Sequence, residues 1–205
     1  MKKAGSSERV AGLLLAAGAS TRMGRPKQLL PFAEGTLLEN ILEEALKSDL
    51  DKIILVLGHK SGEIKRALGD ALENPKLRVI ENRQYHQGIS SSILAGLSAV
   101  EKTHDHVLIL LADMPHIHVR LINRLIQHYR RSHLQLGAVK MKGRRSHPVI
   151  IGRRFYPQLH KLTGDSGARD IFKKYGDQVC LVEPDSFYDD RDIDTPEDYE
   201  KLTKS

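Results

Sequence analysis

Arg22 and Lys27 stand close together in a segment that also carries Gly18, Ser20, Thr21, Gly24 and Pro26, directly after the apolar run Val10–Ala17. A buried strand that empties into a glycine-rich loop with two cations suits the capture of an anion. Backbone N–H groups approach phosphate oxygens closely where side chains are small, and the cations neutralise the charge. Two common phosphate loops do not fit. In a P-loop the Lys follows the second Gly directly, whereas Arg25 and Pro26 separate Gly24 from Lys27; the dinucleotide pattern Gly-x-Gly-x-x-Gly is missing. An ordinary strand-to-helix turn with solvated cations competes with the phosphate reading on spacing alone.

One carboxylate stands where a ligand edge is expected. Asp113 follows the apolar run Val107–Ala112, a place where an acid can hold Mg²⁺ on nucleotide phosphates because hard cations prefer oxygen; a turn-forming Asp ahead of Pro115 is the structural alternative. Asp194 precedes Thr195 and Pro196, where helix capping is the competing role. Ser90, Ser91 and Ser92, after Gly88, open a helix and either cap it or offer it to an anion. In Gly164–Arg169, Asp165 or Ser166 suits a helix cap, Gly167 permits close approach of a ligand, and Arg169 suits a phosphate clamp. His104, His106, His116 and His118 flank Asp113 without a cysteine partner or helical metal-ligand spacing, which favours solvated loop histidines.

The segment from Ala16 to Lys27, continued by Gln28-Leu29-Leu30-Pro31, resembles the signature loop of nucleotidyltransferases that activate small phosphorylated molecules with an NTP. It is most similar to the molybdopterin cytidylyltransferase branch of the MobA-like NTP transferases. Ala112-Asp113-Met114-Pro115, Asp194-Thr195-Pro196-Glu197-Asp198, Gln87–Ser92, His147-Pro148 and Gly164–Arg169 extend the resemblance across most of the chain. The resemblance implies a Rossmann-like nucleotidyltransferase fold and Mg²⁺-dependent transfer of CMP from CTP to the terminal phosphate of molybdopterin, for use by a xanthine dehydrogenase-like hydroxylase of purine catabolism. By the same resemblance, Arg22, Lys27 and Asp113 are catalytic, and Asp113 and Asp194 hold the metal. Ala16, Ala17, Gly18, Ser20, Arg22, Lys27, Gly88, Ser90 and Ser91 bind the nucleotide, and His147, Pro148, Asp165, Gly167 and Arg169 bind the acceptor. Ala17, where guanylyl-transferring relatives tend to carry glycine, fits the smaller cytosine. A sugar-phosphate nucleotidyltransferase shares the loop and both acids, but the short length and the His147 and Gly164–Arg169 segments tilt against it. A non-catalytic cofactor carrier or maturation chaperone for a molybdenum hydroxylase would have no need of Lys27, Asp113 and Asp194.

The elements that must position these residues can be read from apolar periodicity. Thr36 and Glu39 have capping-box spacing ahead of a helical stripe from Leu37 to Leu46. Ile53–Leu57 suits a strand covered on both faces. A helix is expected over Ser61–Leu72, a strand over Leu77–Ile80, a helix from Ile89, a strand over Val107–Ala112 and a helix over Val119–Tyr129. Short strands at Gly137–Met141 and Val149–Ile151 are separated by Gly143–Pro148. A helix from Ser166 to Tyr175, a strand at Val179–Val182 with a buried Cys180, and a last helix from Pro196 complete the chain. This alternation predicts an α/β fold with a mostly parallel sheet and helices on both faces, its ligand edge at the strand C-termini. A single domain is expected, with a nucleotide-binding part over about 8–115 and an acceptor-side part or lid over about 116–205.

Composition sets the outer bounds. With 205 residues, 40% of them hydrophobic and 28% charged, the chain is of globular type. No apolar run reaches the roughly 20 residues that span a bilayer. The basic start MKKAGSSERV is broken by polar residues, so a cytoplasmic protein without a secretory signal is expected. The net charge of +6 suits polyanionic small substrates; the scattered basic pairs and 5% aromatics do not suit nucleic acid. One cysteine excludes an internal disulfide.

Overall fold

The computed structural model describes residues 8–203. Strand β1 (Val10–Ala16) runs through the middle of the molecule with all seven residues buried. Alternate side chains of a strand face opposite ways, and β1 uses this to build two cores. Val10, Leu14 and Ala16 join one apolar cluster, and Ala11, Leu13, Leu15 and Ala17 join the other. A continuous apolar run is what a strand covered on both faces needs.

Parallel to β1 lie β4 (Lys52–Leu57) on one side and β6 (His106–Leu111) on the other, with β5 (Leu77–Glu81) beyond β4. A two-stranded hairpin, β2 (Pro31–Phe32) and β3 (Gly35–Thr36), stands apart. Beyond β6 the sheet continues through β8 (Arg144–Gly152), β7 (Leu136–Met141) and β9 (Val179–Val182), giving the order β5-β4-β1-β6-β8-β7-β9. Only β8 runs against the rest. The C-terminal part expected as a lid therefore also supplies three strands to the main sheet.

On the first face, α1 (Leu37–Lys47), α2 (Ser61–Leu68) and α4 (Val119–Ser132) bury Leu38, Ile41, Ile64, Leu121 and Leu125. The second face takes α3 (Ile89–Ser98), α5 (Tyr156–Leu159) and α6 (Arg169–Lys174) through Ile93, Leu97, Leu159 and Phe172. The last helix, α7 (Pro196–Thr203), packs Tyr199 and Leu202 on a small third cluster of Met23, Leu30, Leu37 and Ile193 beside the signature loop. Among the described residues no helix is long and apolar enough to cross a membrane.

Several expectations are corrected by local chemistry. The helix expected to reach Leu72 ends at Leu68, because Gly69 turns to φ +46° and a 3₁₀ turn follows. The helix expected from Ser166 begins at Arg169, after Gly167 at φ +55°. Arg144–Pro148 is strand: it extends β8 as one arm of a hairpin, and the register jumps from Val139↔Ser146 to Ala138↔Val149, leaving His147 and Pro148 as the unpaired bulge. Cys180 is half-buried on the outer strand β9, not fully buried.

Candidate functional site

The loop after β1 is closed by a residue that spacing alone does not reveal. Gln28, 2% exposed, donates from Nε2 to the carbonyls of Ala16 (3.0 Å) and Gly18 (3.1 Å). Ser20, at φ +52°, accepts the Lys27 N–H on Oγ at 3.1 Å. Ala17 is buried; its carbonyl accepts from His59 N–H, and its methyl lies so close to Gly58 that a Cβ there would meet it at 2.9 Å. The Ala17 methyl is thus packed in the core, and this placement removes the steric argument for cytosine drawn from it.

These bonds fix the direction of Lys27. Its Nζ lies 2.6 Å from Asp113 Oδ2 and 2.7 Å from Asp194 Oδ1, and Arg22 reaches Asp194 Oδ2 at 3.4 Å. Asp113 arrives on the turn after β6, at the carboxyl end of the parallel strands where open α/β sheets bind ligands. Asp194 arrives from near the other end of the chain. It is free to do so because Thr195 caps α7: Asp198 N–H donates to Thr195 Oγ1, and Asp198 Oδ2 accepts from Thr195 N and Oγ1. The Ile193 N–H donates to the Asp113 carbonyl at 3.0 Å and pins the two acidic segments together. Burial pushes the Lys27 ammonium toward neutrality, but the two carboxylates outweigh it and hold its pKa above the ordinary value.

Asp113 Oδ1 is buried and has no hydrogen-bond partner. Two carboxylates that converge on one cation, with an unsatisfied oxygen between them, suit a hard divalent ion. Asp113 and Asp194 are the residues that would hold it.

Beside this cluster opens a cleft of about 510 Å³, lined on one flank by Arg144–His147 of β8 and on the other by Asp165–Arg169 and Phe172. Ile89, Ile93, Ile109 and Val149 supply apolar wall. Four of the five residues expected on the acceptor side, His147, Asp165, Gly167 and Arg169, line this cleft; Pro148 is buried in the bulge behind it. The Tyr188 hydroxyl donates to the His147 carbonyl, and His147 Nδ1 is buried without a partner. Burial holds the His147 pKa below its ordinary value, so the ring is neutral near pH 7, with Asp113 opposing and Arg169 and Arg145 adding to the shift. Periodicity and motif reading both miss Arg145 and Phe172. Both lie in stretches that read simply as basic loop and amphipathic helix.

At the start of α3 the expected anion site is already taken. Ile89 N–H donates to Asp165 Oδ1 (3.2 Å) and Ser90 N–H to the Gly164 carbonyl (3.1 Å). Gly88 sits at φ +94°, where a Cβ would stand 2.4 Å from the Gly164 carbonyl carbon. The helix N-terminus is capped by the chain itself. Ser91 Oγ donates to the carbonyls of Gly88 and Gln84, and Asn82 Nδ2 donates to the hydroxyls of Ser91 and Ser92. Only Ser90 Oγ remains buried without a bond.

The histidines expected as solvated loop residues have structural work instead. His104 and His106 are each 3% exposed; His104 contacts Thr103 Oγ1, and His106 contacts Tyr129 and Glu8. His118 caps α4 through Nδ1, and His116 packs edge-on against Phe32 and Phe187.

Residues 12–179 match the model of the MobA-like NTP transferase domain. The nicotine blue oxidoreductase of Paenarthrobacter nicotinovorans is 32% identical, over 94% of this chain and 96% of its own. The molybdenum cofactor cytidylyltransferase of Escherichia coli K12 is 29% identical, over 91% and 92%. Among solved structures, Rv0371c from Mycobacterium tuberculosis H37Rv superposes with a TM-score of 0.84 at 25% identity, covering 98% of this chain and 100% of that one; its complex with manganese gives 0.79. Fold, signature loop and sequence likeness agree: the chain belongs to the MobA-like NTP transferase family, on the branch of the molybdenum cofactor cytidylyltransferase, and is a nucleotidyltransferase.

Proposed function

We propose that the protein transfers CMP from CTP to the terminal phosphate of molybdopterin, making a cytosine dinucleotide cofactor for a molybdenum hydroxylase. The observation that carries this reading is the joining of Lys27, Asp113 and Asp194 at the sheet edge, next to a cleft walled by arginines and apolar side chains. The acceptor phosphate oxygen attacks the α-phosphorus in line, the bond from that phosphorus to the α,β-bridging oxygen breaks, and the β- and γ-phosphates leave together as pyrophosphate. The attacking oxygen is already anionic, so no protein nucleophile is required. The protein's part is positioning and charge neutralisation.

Ala16, Ala17, Gly18 and Ser20 form the cradle for the nucleotide, held in shape by Gln28. Lys27 and Arg22 draw the triphosphate against it. Asp113 and Asp194 would hold a divalent cation, Mg²⁺ in this reading, which would supply Lewis-acid neutralisation of the phosphates. His147, neutral and half-buried at the cleft wall, offers the acceptor a hydrogen bond without adding charge. The E. coli relative's name and the manganese-bound relative support the reaction class and the metal.

Pyrophosphate release with molybdopterin and Mg²⁺, run separately with CTP, GTP, ATP and UTP, tests the reading. Release with CTP alone is expected. Release with another nucleotide alone would correct the base, and release with none would sink the transferase reading. The relative named as a nicotine blue oxidoreductase sets the competing reading, checked by consumption of NADH or NADPH with nicotine blue in the same preparation.

A further inference from the structure

The acceptor cleft is lined by four arginines, Arg144, Arg145, Arg169 and Arg191, that are not alike in their surroundings, and Arg191 is paired with Asp189. Arg144, at its mouth, is 2.7 Å from the Asp190 carboxylate and is already neutralised. Arg145 and Arg169 pair with no carboxylate among the described residues. Strand register places Arg145 opposite Lys140, on the face shared with the buried Ala138, so it points toward α6. There its Cζ stands 5.0 Å from the centroid of Phe172. Arg169 lies three residues before Phe172 on the same helix, and residues so spaced share a face. The aromatic ring therefore serves as a shelf that holds the Arg145 plane in place, and a planar fork fixed in this way loses little freedom when it binds an oxyanion. Burial presses against the charge on Arg145, which has no internal anion to answer it.

We propose that Arg145, with Arg169, clamps the phosphate monoester of the acceptor, and that Phe172 positions Arg145 for it. This rests on the reading of the cleft as the acceptor site and deepens it. The clamp places the acceptor's phosphate on the β8–α6 side of the cleft, next to His147 and facing Asp113.

Calorimetric titration of wild type, Arg145→Gln, Arg145→Lys and the exposed charge control Arg154→Gln tests the proposal with two phosphate-bearing probes and with phenol. Molybdopterin reports on the acceptor reading, and phenyl phosphate reports on the clamp alone. Arg145→Gln is expected to weaken binding of both about 10–100-fold, the loss of a charge-assisted hydrogen-bond pair. Arg145→Lys should recover part of that loss, and Arg154→Gln should bind as wild type. Thermal melting confirms that the variants are folded. Unchanged phenyl phosphate binding in Arg145→Gln, or an equal loss in Arg154→Gln, overturns the clamp. Failure of wild type to bind molybdopterin while phenyl phosphate binds through Arg145 overturns the acceptor reading and upholds the clamp. An equal loss toward phenol, the phosphate-free probe, in Arg145→Gln would show a packing role and also overturn it.

Discussion

The nucleotide side and the acceptor side of this site handle charge in opposite ways. On the nucleotide side Arg22, Lys27, Asp113 and Asp194 form a closed set in which each cation meets a carboxylate. On the acceptor side, among the described residues, Arg145 and Arg169 face the cleft unpaired and His147 keeps a buried nitrogen without a bond. A closed set holds its geometry before any ligand arrives, whereas unpaired groups gain most when the ligand supplies the missing partner. One of the seams between the two halves lies where Gly88 packs against Gly164.

The sharpest break in this contrast comes from Asp113→Asn, which removes charge from the closed set. Pyrophosphate release should fall by about 10²–10³-fold or more, with molybdopterin binding little altered. Gly88→Ala attacks the seam. Its Cβ would stand 2.4 Å from Gly164 backbone at a φ that L-residues avoid, and chemical denaturation should show a loss of about 2–4 kcal/mol.

Lys27→Met opens the closed set without touching the acceptor side. It leaves two carboxylates facing each other at a partly buried site and should cost about 2 kcal/mol at pH 7. Because the folded-state pKa of Lys27 is raised, its contribution is fully present below the ordinary value of 10.5 and is lost as pH rises through the higher folded value. Denaturation curves of wild type should therefore decline on the alkaline side above that point, by at most about 1.4 kcal/mol per pH unit, and the variant should lack this decline. The smallest effect belongs to His147→Gln. The folded-state pKa of His147 is depressed, so the unfolded chain takes up a proton that the fold refuses, and stability drops as pH falls below 6.5. The variant should lose that component of the acid slope. An unchanged slope would mean that His147 titrates alike in the folded and unfolded chain and that burial does not exclude its proton.

How much of this was legible in the sequence differs between the halves for the same physical reason. Strands β1, β4 and β6 are buried on both faces and announce themselves as apolar runs. The Thr36–Glu39 capping box forms as its spacing implies, with Thr36 N–H donating to Glu39 and Glu39 N–H to Thr36 Oγ1. Asp113 is marked by the strand before it. On the acceptor side, β8 begins with Arg144, Arg145 and Ser146, polar residues that line a cleft and so lack the alternation of a half-buried strand. Gln28 is hidden for a related reason. A buried amide that serves two carbonyls has the same letter as a solvated one, and only the folded loop shows the difference. The histidines were misread because burial by a neighbour such as Tyr129 depends on tertiary contacts far along the chain.

The capping of α7 by Thr195 and Asp198 has a consequence for how the site comes into being during synthesis. Lys27 and Asp113 leave the ribosome long before Asp194, which lies 167 residues after its partner Lys27. A chain arrested short of Asp194 can already have β1, β4 and β6 side by side, yet it lacks the carboxylate that completes the set. Competence is thus deferred until Asp194 has been made, and release of a chain truncated before Asp194 should yield a nucleotide loop with one acid where two are needed.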